Sequence, residues 1–384
     1  VGALLAVSML VAGCSNSLPS MPRLGDLNPF AEKQVPLPGK RVPVSLSDDK
    51  SGVTLAAADR PVILPPAIAN DAWTQPGGVA TNAPGHLALG STLRIAWAAE
   101  AGQGSSARGR LIASPIVAEG RVFTLDTTAV VTAFNASTGA VLWRASLTPE
   151  NEKGGKGAGG GLAYDAGRLF AATGYGNVVA IDPASGKKLW EKNVGSPIRA
   201  SPTASGGRLH VLAQDGQLYT YAAADGAEAW IHKGLPEKAS LVSNASPAVD
   251  GTYVVIPYPS GELVALNAAT GAPAWTESLA RSRVASSLTA MSDAARPAID
   301  NGIVFAIGHA GRMVAASVRS GERLWTINVP SIQAPWVAGE TVFVVDTGGQ
   351  LMALSRREGR AMWTAKLPGA SIWSGPLLAG GRLW

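Results

Sequence analysis

One cysteine, Cys14, stands in a chain of 384 residues, so no intramolecular disulfide can form and no cysteine-based metal site can be built. Histidine is almost as scarce. His86, His210, His232 and His309 fall in separate stretches, without the short spacing that a zinc site needs. Charged residues make up only 15% of the chain, and the lysines and arginines behind the net charge of +5 are scattered singly. Charge spread in this way serves solubility and speaks against a nucleic-acid footprint. No Gly-x-Ser-x-Gly elbow is present, and no pair of carboxylates stands out from the acids that belong in turns. The glycine run GGKGAGGG at 154–161 lacks the Gly-Lys-Ser/Thr ending of a phosphate loop, and no helical pattern follows it, so it reads as a connection between repeats. These absences leave no candidate catalytic, cofactor-binding or metal-binding residue.

Glycine and proline, by contrast, are plentiful, at 45 and 26 residues, in a chain that is 46% hydrophobic. With β-branched runs between them, they favour an all-β chain rich in turns. The most informative stretch is AIDPASGKKLW, from Ala180 to Trp190. It reads as a strand, a tight turn closed by a glycine at positive φ, and a second strand carrying tryptophan. The same device recurs with Gly139 and Trp143, Gly226 and Trp230, Gly271 and Trp275, Gly321 and Trp325, and Gly359 and Trp363. The tryptophans are about 40 to 50 residues apart, a spacing that marks a repeat architecture.

Around each hairpin the sequence parses into four short strands, with middle turns such as Asp215-Gly216 and Gly348-Gly349. Four antiparallel strands per repeat, arranged radially, predict a β-propeller of four-stranded blades. Six blades are complete, and the final stretch SIWSGPLLAGGRLW opens a seventh that stops in its second strand, so the chain is expected to be truncated there. A lone strand over Ser91–Ala101, with Trp97, is predicted to complete the last blade of the ring and remove two exposed sheet edges.

The apolar run VGALLAVSMLVA precedes Gly13 and Cys14, and residues 1–13 read as an incomplete signal peptide. LVAGC resembles a bacterial lipobox, which implies lipidation of Cys14; by the same resemblance, Ser15 in place of Asp points to the outer membrane. Residues 14–69, rich in proline and serine without a period, read as a disordered tether, and residues 70–384 as the propeller. Asp71–Gly90, with Trp73 and an apolar tail, is expected to pack onto the folded domain.

The hairpin with Ala180, Asp182, Gly186 and Trp190 resembles the PQQ-like repeat of the quinoprotein-alcohol-dehydrogenase-like propellers; the fifth and sixth copies depart from it, with Ser317 and Ser355 at the acidic position. The resemblance covers about four fifths of the chain. It implies that Trp97, Trp143, Trp190, Trp230, Trp275, Trp325 and Trp363 dock between adjacent blades. Within that family, the lipobox, the tether and the segment from Asn70 to Trp73 are similar to the eight-bladed outer-membrane assembly lipoproteins of the Bam complex. That likeness implies a non-enzymatic scaffold without a cofactor. It would be lipid-anchored to the outer membrane facing the periplasm, and would bind BamA and other Bam subunits with unfolded outer-membrane proteins as further clients. It also places partner contacts in the loops Ala239–Asn244 and Ser292–Arg296, on Leu241, Val242 and Asp293. Val242 replaces an Arg found in some members, and one residue is missing near Ala295. The alternative is a periplasmic quinoprotein-like dehydrogenase or a ligand-binding propeller, although the disulfide of those enzymes cannot form with one cysteine.

Overall fold

Each glycine hairpin found in the sequence is the outermost hairpin of a four-stranded antiparallel meander. The computed structural model describes residues 61–106, 109–152, 159–234, 245–258, 260–279, 295–308, 311–368 and 373–384. Among them are six such sheets and a final two-stranded hairpin. Sheet 1 runs from β1 (Ile116–Ala118) to β4 (Val141–Ser146), sheet 2 from β5 (Gly160–Asp165) to β8 (Lys188–Asn193), and sheet 3 from β9 (Thr203–Ser205) to β12 (Glu228–Lys233). Sheet 4 spans β13 (Ala248–Val249) to β16 (Pro273–Ser278), sheet 5 β17 (Ala298–Asp300) to β20 (Arg323–Asn328), and sheet 6 β21 (Trp336–Ala338) to β24 (Ala361–Lys366). The chain ends with β25 (Leu378–Ala379) and β26 (Arg382–Leu383).

The first strands β1, β5, β9, β13, β17 and β21 contact one another in that order, which makes them the inner strands of a β-propeller. Middle strands read as continuous apolar runs because both of their faces are covered by neighbouring sheets. Val178, Val179, Ala180 and Ile181 of sheet 2 are all fully buried. Outer strands are more exposed instead, and in sheet 2 Lys188, Leu189 and Glu191 face solvent on either side of a half-buried Trp190.

Each hydrophobic cluster straddles a boundary between sheets. Ile116, Phe123 and Val131 of sheet 1 pack with Leu162, Leu169 and Ile181 of sheet 2. Phe170 and Val178 of sheet 2 pack with Leu209 and Val211 of sheet 3. The remaining boundaries repeat the arrangement, down to Trp336 and Phe343 of sheet 6 against Leu378 and Ala379 of the final hairpin. Burial of one such large aliphatic side chain contributes about 1.5–3 kcal/mol, so the blades hold one another rather than folding around private cores.

Two details differ from the sequence reading. Residues 91–101 form no strand: none of the described strands pairs with them, and Leu93 and Ile95 are exposed. Residues 61–69, grouped by composition with the tether, make native contacts instead. Val62 and Leu64 pack on the cluster of sheet 6, and the Pro65 carbonyl lies 2.7 Å from His86 Nδ1.

Candidate functional site

The repeated turn owes its shape to local hydrogen bonds. Asp182 Oδ1 accepts the amides of Ala184 and Ser185 at 2.8 and 2.9 Å, which holds its carboxyl below the usual carboxylate range. The Gly186 amide then closes the turn on the Asp182 carbonyl at 2.9 Å, and a bulge follows between Ala180 and Ile181. All six sheets carry a bulge at this place. At Gly186 φ is +74°, a left-handed conformation, and an added Cβ would lie 2.7 Å from Trp143 of the preceding blade.

That contact is repeated around the propeller. The indoles of Trp97, Trp143, Trp190, Trp230, Trp275 and Trp325 lie on Gly139, Gly186, Gly226, Gly271, Gly321 and Gly359 of the next sheet. Each Nε1 also donates to a turn carbonyl there, from 2.7 Å at Val318 to 3.3 Å at Ala268. Trp97 takes part although its segment is unpaired. Trp363 packs on Phe343, with ring centroids 6.1 Å apart, and lies on no turn glycine among the described residues. Between sheets 5 and 6, Arg356 pairs with Asp300 and lies over the Phe305 ring at 5.7 Å.

The hub contains a feature that the sequence reading did not resolve. Residues 73–88 run past the free edge of every inner strand in turn. Trp73 exchanges two backbone bonds with Val117 of β1, at 2.7 and 2.8 Å. Tyr164 of β5 donates its amide to Thr74, and the Gln75 side chain donates to the carbonyls of Tyr164 and of Ala204 in β9. Val249 of β13 donates to Ala80, and Ile299 of β17 to Thr81, both at 2.8 Å. Asn82 donates to Pro297, Trp336 of β21 donates to Gly85, and Leu87 pairs with the final hairpin around Leu378 and Gly380.

Inner edges otherwise present unpaired amides and carbonyls, and this strap satisfies them from the centre. A turn at Gly77 and Gly78 lets it change partners. An added Cβ on Gly77 would meet Asn82 Oδ1 at 2.2 Å. Asp71–Gly90 was expected from Trp73 and its apolar tail to pack onto the folded domain, and it does; its course across the inner strands is what the sequence did not show.

The predicted contact residues Leu241, Val242 and Asp293, and the predicted lipidation site Cys14, lie outside the described residues, as does His309. In chain order one loop joins β12 to β13 and the other joins β16 to β17. His210 is fully buried in sheet 3, with Nδ1 2.9 Å from Thr220 Oγ1, and burial pushes its pKa down to about 3. Among the described residues no group of three or more His, Cys, Asp or Glu side chains could hold a metal ion. The glycine run leads directly into β5 at Gly160 rather than into a helix.

A family model described as outer membrane protein assembly factor BamB matches residues 77–156 and 127–365, well over half of the chain. The chain belongs to the BamB family. The BamB of Nitrosomonas eutropha is 24% identical over 218 residues, covering 56% of this chain and 51% of that protein. The BamB of Shewanella oneidensis is 25% identical over 254 residues, or 64% of each. The chain therefore spans about half to two thirds of the length of these relatives. Among solved structures, BamB from Moraxella catarrhalis superposes with a TM-score of 0.58 at 19% identity, covering 67% of this chain and 75% of that one, a likeness of fold.

Proposed function

We propose that this chain is a non-enzymatic scaffold subunit of the outer-membrane β-barrel assembly machinery. It binds the periplasmic domains of BamA and assists the folding and insertion of outer-membrane proteins. Lipidation of Cys14 anchors it to the outer membrane on the periplasmic side. The observation that carries this reading is the match to the BamB model from residue 77 to residue 365. The propeller fold supports it, because rigid blades can present connecting loops as a binding surface.

Leu241 supplies an apolar contact to BamA and Asp293 an ionic one, while Val242 adds surface without charge. In chain order the two loops are the connections β12–β13 and β16–β17, on either side of sheet 4. Co-purification from detergent-solubilised envelopes tests the assignment. BamA should be recovered with the intact chain, and recovery of the intact chain without BamA would overturn the assignment.

A further inference from the structure

A cavity of about 220 Å³ lies between the hub strap and the leading ends of the inner strands of sheets 5 and 6 and the final hairpin. Trp73, Pro335, Trp336 and Leu377 give it apolar walls, and Asn82 and Gln333 supply polar ones. Trp73 and Trp336 stack beside it, with ring centroids 6.4 Å apart and planes 19° from parallel. Arg296 is the one charged residue in its lining. Its Nε is sealed from solvent with no hydrogen-bond partner, and among the described residues it forms no ion pair. The residue as a whole is only half-buried, as expected of a guanidinium set in the wall of an open cavity.

A guanidinium with one nitrogen sealed and unpartnered, and no counterion among the described residues, gains from a ligand that supplies the charge. Burial lowers the pKa of Arg296 to about 10, so it still carries its proton at neutral pH. Asn82 and Gln333, whose amides donate to the Pro297 and Trp373 carbonyls at 2.9 and 2.7 Å, carry no charge and so cannot neutralise it. One fixed positive charge balances one negative charge. A phosphate group, with a charge of about −1.5 to −2 at neutral pH, would bring an excess into apolar walls. A planar carboxylate matches the guanidinium fork and adds a single charge. Roughly 150 Å³ of apolar space is enough for a benzene ring, so this volume has room for a ring-sized group beside the carboxylate.

We propose that this cavity binds a monoanionic carboxylate bearing a small apolar group, with the Arg296 guanidinium holding the carboxylate and the Trp73–Trp336 wall covering the apolar group. The ligand is either a small organic acid or the C-terminal carboxylate of a peptide. Arg296 closes the loop Ser292–Arg296 assigned to BamA, but the cavity uses none of Leu241, Val242 and Asp293; a titration of the chain alone, without BamA, therefore tests the site separately from that assignment.

The test is a ¹⁹F NMR titration of the full chain with 3-(4-fluorophenyl)propanoate and, separately, with its primary amide. The acid should bind saturably and the amide at least about tenfold more weakly, since a hydrogen bond to a charged group is at stake. Arg296→Gln should weaken the acid by a similar factor and leave the amide unchanged. Displacement of the probe by Ala-Ala-Leu with a free C-terminus, but not by its C-terminal amide, assigns the site to peptide ends. Displacement by small acids alone assigns it to metabolites. Inorganic phosphate should not compete. Equal binding of acid and amide to the unmodified chain, no saturable binding of the acid, or phosphate competing as well as carboxylate would each overturn the proposal. The acid-against-amide comparison needs no variant and holds even if Arg296→Gln fails to fold.

Discussion

Replacing Gly186 with alanine tests whether the tryptophan contact is what joins one blade to the next. Two costs arise at that position. The left-handed backbone, with φ at +74°, is unfavourable for a residue with a Cβ by about 1–2 kcal/mol. The new methyl would also sit 2.7 Å from the Trp143 ring, and such overpacking costs a further 1–3 kcal/mol or so. Removing the indole by Trp143→Ala abolishes the second cost and leaves the first. In that background Gly186→Ala should therefore cost only about 1–2 kcal/mol, against about 2–5 kcal/mol in the unmodified chain. The interaction energy of the cycle lies between about 1 and 3 kcal/mol. Urea unfolding followed by far-ultraviolet circular dichroism on the four chains measures it. Strict additivity, with Gly186→Ala equally costly in both backgrounds, would refute the fastening role of the indole.

Two further predictions concern the hub and the buried histidine. Gln75→Ala should leave carbonyls of sheets 2 and 3 unpaired and destabilise the fold by about 1–3 kcal/mol in the same urea assay. Gln75→Glu removes the same donors and adds a buried charge, so it should be at least as damaging despite its similar shape; a neutral effect would remove the strap from the account. The unfolded chain takes up a proton on His210 near pH 6.5, whereas the folded chain resists it until about pH 3, so stability attributable to this group is complete above pH 6.5 and is lost as the pH falls. Between pH 6.5 and 5 the loss is about 2 kcal/mol. His210→Gln should flatten that part of the pH profile, and an unchanged slope would contradict a neutral buried imidazole.

How far the sequence revealed these features follows from their chemistry. The blade hairpin was legible because it needs two particular things at fixed spacing, a glycine at positive φ and a large aromatic, and that pairing recurs six times. Where the turn acid is lost the hairpin persists. Ser317 Oγ accepts the Ser320 amide at 3.3 Å, a longer version of the bond that Asp182 makes. Ser91–Ala101 looked like a strand because apolar residues alternate there, but a strand exists only against a partner. That Asp71–Gly90 packs on the domain was legible from Trp73 and its apolar tail, but its route was not, because its hydrogen bonds run to seven different strands and leave no period in its own sequence. Arg296 fell at the end of a predicted contact loop, yet nothing local distinguishes it from other scattered arginines. Its isolation becomes visible only once sheets 5 and 6 and the strap surround it.

The central claim is that this propeller holds BamA through the loops before and after sheet 4 in chain order. The most direct measurement is the affinity of the purified full chain for the isolated periplasmic domains of BamA, compared with Leu241→Ala and Asp293→Ala, after circular dichroism has shown all three chains to be equally folded. Saturable binding by the unmodified chain, weakened by about tenfold or more in each variant, is the predicted result. A folded chain that shows no binding, or three chains of equal affinity, would contradict it.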